Sequence, residues 1–397
     1  MDNITHSLVG VAVADAIAGG RAVKVPRPLV AGAGLIAANL PDIDLAYSAM
    51  TPAPLGYLLH HRGHTHTIVG VAVLALALVL AYGRVPSVRS MRPAERLRLW
   101  VVIAAALGSH LAMDALNSYG VHPWYPFDNR WYYGDAVFIF EPALWLILGA
   151  AAAWNGRSGL ARLGAAAPAA VLVAGIAVLG IVPVESLVVL ALAGAAFSWA
   201  ARRRTPAGRA WLALGATALM LMALFAVSRE ARAESRRVLQ PHLRGRLVDV
   251  VLTPNPSAPW CWSVIGIEAI EARGEYVLWR GTLTLVPSLK AATACASHRL
   301  AGTDRTRIIA GGRFALRDEI HRPLRQLREL SRDCWVGAWL RFGRAPVVAG
   351  GEIFDLRFAE RGAAAFTHMA LVREPGEPRC PAFVPPWGMP RHDLLAR

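Results

Sequence analysis

Histidine and aspartate gather in four short clusters within the first third of this 397-residue chain: Thr5-His6-Ser7, Pro41-Asp42-Ile43-Asp44, His61-Arg62-Gly63-His64-Thr65-His66, and His110 with Asp114. Imidazole and carboxylate together are the donor set of zinc and related divalent metals. His110 and Asp114 stand four residues apart, so on a helix they share one face. Asp42 and Asp44 flank Ile43 in a turn, where both carboxylates can point the same way. His61 and His66 bracket the start of an apolar run; Gly63 permits a sharp bend there, and Thr65 is placed to cap the following helix. With three or more such ligands and an open position, a divalent ion lowers the pKa of bound water towards ~7 and supplies hydroxide. Carboxylates among Asp42, Asp44 and Asp114 are able to hold a second ion, and the planar fork of Arg62 suits an anionic substrate oxygen. The expected ligands are therefore His6, Asp42, Asp44, His61, His66, His110 and Asp114, with Asp44 and Arg62 serving catalysis. Each cluster alone has a plainer reading: a bundle histidine satisfied by hydrogen bonds, helix-capping aspartates, or a juxtamembrane polar collar. Their joint occurrence argues for a site, because ionisable groups at membrane depth are costly.

Such clusters need elements to bring them together. Hydrophobic residues make up 55% of the chain and charged ones only 17%, well below the charge of an ordinary soluble domain. Long Ala/Leu/Val runs fill the chain before Ser228 and a more polar composition follows. Spanning segments are expected at 66–82, 98–118, 136–154, 165–182, 184–200 and 209–228, since about 20 residues cross ~30 Å of hydrocarbon. Two shorter apolar stretches, 4–19 and 29–40, read as a re-entrant hairpin or as two tightly packed helices. The start of the chain lacks a basic region and its first apolar run contains His6 and Asp15, so it reads as retained rather than as a signal peptide.

Positive charge in short loops sets the orientation. Arg21, Lys24 and Arg27; Arg84, Arg89, Arg92, Arg96 and Arg98; Arg157 and Arg162; and Arg202, Arg203, Arg204 and Arg209 occupy loops that alternate to one side, the cytoplasm. The turn Val182-Pro183-Val184-Glu185 falls on the other side. All the His/Asp clusters then share the non-cytoplasmic face. Arg229, Arg232, Arg236 and Arg237, just after the last span, run against this assignment. The net charge of +15 is explained by these loops, and with no zinc finger, helix-turn-helix or RNA-binding aromatic motif, no nucleic-acid partner is expected. The partners expected are membrane lipids and an unidentified substrate. The segment holding His122, Asp128, Arg130, Tyr132 and Asp135, rich in Trp and Tyr, suits either an interfacial anchor or a substrate contact.

The fold class expected is a multi-pass α-helical membrane bundle followed by a β-rich (α+β) soluble C-terminal domain, divided into a metal-site domain at 1–155, further transmembrane helices at 156–228 and a soluble, periplasmic domain at 229–397. In that domain, 274–285, 339–342 and 352–358 read as strands and 315–331 as a helix with Leu324, Leu327 and Leu330 at spacing three. Cys261, Cys295, Cys334 and Cys380 permit two disulfides in any of three pairings, or remain four buried thiols; a zinc site built from all four cysteines is disfavoured because no CxxC pair exists.

The segments Asp2-Asn3-Ile4-Thr5-His6-Ser7-Leu8-Val9-Gly10, Leu40-Pro41-Asp42-Ile43-Asp44, His61-Arg62-Gly63-His64-Thr65-His66-Thr67 and His110-Leu111-Ala112-Met113-Asp114 with Tyr119-Gly120 resemble, in order and spacing, the bacterial membrane-bound metal-dependent hydrolases, the inner-membrane family also labelled LexA-binding. The resemblance covers roughly the first 140 residues and implies a multi-pass inner-membrane protein with a divalent metal site at His6, Asp42, Asp44, His61, Arg62, His66, His110 and Asp114. His60 and His64 fall where the motif is not restrictive, and Thr67 stands where the family often has Ser. The leading expectation is a metal-dependent hydrolase, with zinc, acting at the outer face of the inner membrane. The alternatives are a non-catalytic, metal-stabilised scaffold that binds a partner, and a transporter relaying protons through His110 and Asp114; the lack of matching ionisable residues in 165–182 and 209–225 counts against a long relay.

Overall fold

The computed structural model describes residues 1–19, 26–156, 158–178, 184–295, 306–359, 366–373 and 375–396. Arg21, Lys24, Arg157 and the turn at Val182-Pro183, used above for orientation, lie outside the described residues, as does the end of the 165–182 segment.

The two short apolar stretches are packed helices. Asp2 accepts the Thr5 amide at 2.9 Å and so caps α1 (Asn3–Ala18). Pro26-Arg27-Pro28 opens α2 (Arg27–Asn39). They cross at Gly10 and Gly34, where a Cβ on either residue would overlap the carbonyl of the other. At their far end Arg27 forks onto both oxygens of Asp15, each at 2.7 Å. Beyond α2, Pro41 leads into a tight turn over Leu40–Ile43 and then the short α3 (Asp44–Tyr47).

The chain continues through α4 (Leu55–His60), α5 (Ile68–Gly83), α6 (Pro86–Arg89), α7 (Pro93–Asp114), α8 (Pro142–Asn155), α9 (Gly159–Val178), α10 (Val184–Ala201) and α11 (Pro206–Leu239). Among the described residues three helical stretches, Arg27–Met50, Pro93–Asp114 and Pro206–His242, are long and apolar enough to cross a membrane. Leu55–His66 with Ile68–Gly83, bent by 68°, makes a fourth if counted as one broken span. The bend belongs to the histidine loop. Thr67, not Thr65, caps α5: its hydroxyl accepts the Gly70 amide at 2.8 Å.

Several helix limits differ from the sequence expectation, and three of them bear on the site and the domain boundary. α7 ends at Asp114 rather than 118, and α8 begins at Pro142 rather than 136. Residues 136–141 stay extended because the Ala136 and Val137 amides donate to Leu116 O, at 2.7 and 3.1 Å. α11 does not stop at 228 but runs 34 residues, straight through the expected domain boundary. Its arginines are therefore helix-borne: Arg232 reaches Asp135 and Arg237 reaches Glu234.

The C-terminal half holds a five-stranded antiparallel sheet ordered β1-β2-β3-β5-β4, with β1 Arg246–Asn255, β2 Ala258–Ile270, β3 Glu275–Thr284, β4 Arg307–Ile309 and β5 Phe314–Pro323. The helix expected over 315–331 is a correction: 314–323 pairs with β3, and only α12 (Leu324–Leu330) is helical. Pairing with a neighbouring strand overrides local propensity here. Trp339–Phe342, expected as a strand, closes α13 (Cys334–Trp339), capped by Asp333 accepting the Trp335 and Val336 amides at 3.0 Å. A second sheet joins β6 (Pro346–Ala349), β7 (Glu352–Asp355) and β8 (Met369–Ala370), so the 352–358 strand stops at Asp355; α14 (His392–Leu395) closes the chain. The cysteines pair as Cys261–Cys295 and Cys334–Cys380.

One face of the large sheet packs Trp262, Val264 and Trp279 against Ala231, Val238 and Leu239 of α11. The other faces a core that contains Tyr276, Leu278, Trp335, Trp339 and Phe342 and also Leu55, Leu58 and Leu59 of α4. Each fully buried leucine contributes about 1.5–3 kcal/mol, so the helix beside the histidine loop is held by the C-terminal half. A polar bridge reinforces the junction: Arg344 forks onto Asp135 at 2.8 and 2.9 Å and reaches Asp249 at 2.9 Å.

Candidate metal centre

Four elements deliver the site. α1 brings His6, the turn after α2 brings Asp42 and Asp44, the loop between α4 and α5 brings His61, Arg62 and His66, and the last turn of α7 brings His110 and Asp114. Ligand atoms of Asp42, His66, His110 and Asp114 lie within 4.8 Å of one another, and so do those of Asp42, Asp44 and His61. Asp42 is common to both groups.

The hydrogen bonds around the imidazoles determine which nitrogens face inward. His110 Nδ1 lies 2.6 Å from Ala38 O, which can only accept, so Nδ1 carries the proton. His66 Nδ1 lies 3.0 Å from Asp44 Oδ2 and likewise donates. For neutral rings both Nε2 atoms are then bare acceptors, yet they stand 3.0 Å apart. Asp114 Oδ2 is 3.3 Å from His66 Nε2 and 3.5 Å from His110 Nε2; Asp42 Oδ1 is 3.5 and 3.6 Å away from them. Four acceptor atoms thus converge on one point, an arrangement a cation relieves. The residues present fit a divalent metal on that ground.

Asp44 acts on the histidines. It accepts the Arg62 amide at 2.9 Å and the Thr65 hydroxyl at 2.8 Å, and its other oxygen lies 3.2 Å from His61 Nδ1. A carboxylate on Nδ1 orients the ring and raises the basicity of Nε2. Arg62, held at φ +61° in the turn, is buried; its Nε is 3.0 Å from Asp114 Oδ2 and its Nη1 donates to Asn117 at 2.7 Å. His6 stacks on His110 with centroids 3.8 Å apart and places Nε2 3.3 Å from Asp114 Oδ1. Both His6 nitrogens are buried without a hydrogen-bond partner, as expected of a ring awaiting a ligand. The Met1 amino group also touches Asp114.

The side chains of His6, Asp42, Asp44, His61, Arg62, His66, His110 and Asp114 therefore lie close together, with His6 outside both sets of mutually close ligand atoms. The polar segment that follows does not join them. Asp128, Arg130 and Tyr132 form their own exposed cluster, Asp135 serves the Arg344 bridge, and His122 lies between Trp131 and Trp387, centroids 3.8 and 4.0 Å away. Burial pushes the His122 pKa down to about 3. Sequence reasoning missed the residues that support the loop from outside: Tyr57 stacked on His61, Tyr119 edge-on to the same ring and beneath Arg62, and Trp387, whose indole donates to Leu59 O at 2.7 Å. Burial and the neighbouring Tyr57 raise the Tyr119 hydroxyl well above its ordinary pKa, so it stays neutral. Tyr119 stands in the motif beside Gly120 but was given no role; nothing local marks Trp387.

Residues 1–184 match the model of a family described as YdjM inner membrane protein. That match supports a bacterial inner-membrane family and location for this part of the chain. No curated protein and no solved structure matches the chain.

Proposed function

We propose that this chain is a metal-dependent hydrolase of the inner membrane, holding zinc at Asp42, His66, His110 and Asp114 and acting on a phosphoester or lipid-derived substrate. The observation that carries the reading is the convergence of two proton-bare imidazole nitrogens and two carboxylates at one point. Asp42, Asp44 and His61 form a second set able to hold another ion. A bound ion would supply hydroxide from water near neutral pH.

The protein's own residues do the rest. Ala38 O and Asp44 lock the imidazoles, and Arg62 holds Asp114 in place, which makes Arg62 a positioning residue unless substrate draws it off Asp114. Asp42 and His61, 10% and 13% exposed, are the parts of the cluster nearest solvent. Around them Ile43, Leu45 and Tyr57 are exposed, a rim suited to the membrane lipids we infer as partners. In this reading the centre and the C-terminal domain face the periplasm, and the two disulfides favour that oxidising compartment.

The near-complete burial of His6, His66, His110 and Asp114 favours a second reading, a closed metal site that stabilises a scaffold. Metal analysis separates the cases. Purified wild type should carry stoichiometric metal that His110→Ala and Asp114→Asn lose; full occupancy in both variants removes the centre. Chelator-sensitive turnover in a screen of phosphoesters, amides and lipids establishes the hydrolase, whereas tightly held metal with no turnover selects the scaffold.

A further inference from the structure

Helices α8, α9 and α10 border a groove of about 810 Å³ that opens to the outside of the bundle. It is hollow because Gly149, Ala153, Ala166 and Gly194 line it with little or no side chain. The lining runs from Trp145 to Trp154 on α8 and from Leu190 to Ser198 on α10. At ~1.5 Å per residue these stretches are about 14 and 12 Å long, roughly half of a ~30 Å hydrocarbon layer. The groove thus has the depth of one leaflet. Its mouth lies at the opposite end of the bundle from the metal centre: Asn155, next to Trp154, donates to Asp15 in the last turn of α1, whereas His6 sits in the first.

That mouth is cationic and short of acids. Arg162, the one charged residue among the described ones that line the groove, gives Nε to Gly156 O at 3.0 Å; its two terminal nitrogens make no hydrogen bond among the described residues. Arg209 is committed elsewhere: it donates to Trp154 O at 3.1 Å, Ala201 O at 3.0 Å and Arg202 O at 3.3 Å, and so ties the ends of α8 and α10 together and brings Arg202 to the mouth. Arg202 lies over the Trp199 ring at 5.4 Å. Arg202, Arg203 and Arg204 are exposed, and their side chains make no hydrogen bond or ion pair among the described residues. Asp15, an acid at this end, is already held by both prongs of Arg27. Trp154 and Trp199 are exposed, as tryptophans at headgroup level are. Guanidinium groups without a counter-charge at that depth attract a lipid phosphate.

We propose that this groove binds an anionic phospholipid, with one acyl chain lying between α8, α9 and α10 and the phosphate held by Arg162 and Arg202. A free phosphate would leave the apolar groove unfilled, and a lipid without net charge would leave the arginines without a counter-charge; one amphiphile answers both. The site stands apart from the metal centre and does not rest on the hydrolase reading.

The test uses full-length protein in nanodiscs, with phosphatidylglycerol as the anionic probe and phosphatidylcholine as its neutral counterpart. Bound lipid is counted by native mass spectrometry. Wild type should retain phosphatidylglycerol in preference to phosphatidylcholine. Arg162→Gln and Arg202→Gln should each weaken that retention about fivefold, the effect of one cationic contact with an anionic headgroup; Arg325→Gln, at an exposed position on α12, should not. Gly194→Leu fills the groove and should displace the lipid with every charge in place. Cross-linking of wild type by phosphatidylglycerol with a photoreactive acyl chain should label 145–170 and 190–198, a readout independent of whether the variants fold. Equal retention of the two lipids, unaltered retention in both folded arginine variants or in folded Gly194→Leu, or labelling confined to other helices overturns the proposal.

Discussion

Replacing Asp44 by Asn tests the centre without removing a histidine. In the native structure its Oδ2 takes three donors, the Arg62 amide at 2.9 Å, the Thr65 hydroxyl at 2.8 Å and His66 Nδ1 at 3.0 Å, while Oδ1 takes His61 Nδ1 at 3.2 Å. An amide has one oxygen and one donor. The oxygen will take the three-donor position, because placing NH2 there would set donor against donor three times. The NH2 then faces His61 and forces that ring into the tautomer with Nδ1 bare and Nε2 protonated, which takes the His61 Nε2 lone pair away from the ion. His66 and His110 keep their inward lone pairs. Loss of an orienting carboxylate typically costs 10–100-fold in metal affinity, about 1.4–2.7 kcal/mol. Competition against graded chelators, read by elemental analysis, should show that loss for the ion nearest His61 and a smaller one for the ion at His66 and His110. Metal affinity within about twofold of wild type, in protein with an unaltered melting temperature, would refute the tautomer argument.

Trp387→Ala should lower stability by about 3–5 kcal/mol, since it empties a fully buried site and leaves Leu59 O without its indole donor; thermal unfolding in detergent measures it. Arg344→Met should cost about 1.5–3 kcal/mol, the loss of its charge-assisted hydrogen bonds, because Asp135 keeps Arg232 and Asp249 keeps Arg391, whereas the double variant with Asp135→Asn should recover part of the loss in the same melt. Acidification should weaken the fold through His122, which is buried neutral with a pKa near 3 against about 6.5 unfolded. Below that unfolded value the unfolded chain binds the extra proton, so stability is full above pH ~6.5 and falls by up to about 1.4 kcal/mol per unit towards the folded pKa. His122→Phe should flatten that part of the denaturation profile, and an unchanged slope would count against it.

Much of the metal centre was legible in the primary structure because its chemistry is local in type. Few residue types besides His, Asp, Glu and Cys ligate zinc and related divalent ions, and the cost of placing them among apolar runs makes each one conspicuous. The spacing of His110 and Asp114 carries its own geometry, since helical periodicity puts them on one face before any tertiary contact exists. Helix ends were less legible. Thr65 looked like the cap of α5 because it precedes the apolar run, yet its hydroxyl is claimed by Asp44, a residue 21 positions away, and Thr67 caps instead. The strand at 314–323 carried no period strong enough to outweigh the leucines that follow it; only hydrogen bonding to β3 decided it.

The order of ligand types, the apolar composition and the polar shift after Ser228 were set by the chain alone, because residue chemistry and hydropathy do not depend on partners. The tautomers of His66 and His110, the division of labour between Asp42 and Asp44, the diversion of Arg62 onto Asp114 and the clamp of Trp387 on the histidine loop were decided by tertiary structure. Each depends on which donor or acceptor arrives from a distant segment, and that information exists only once the segments are packed.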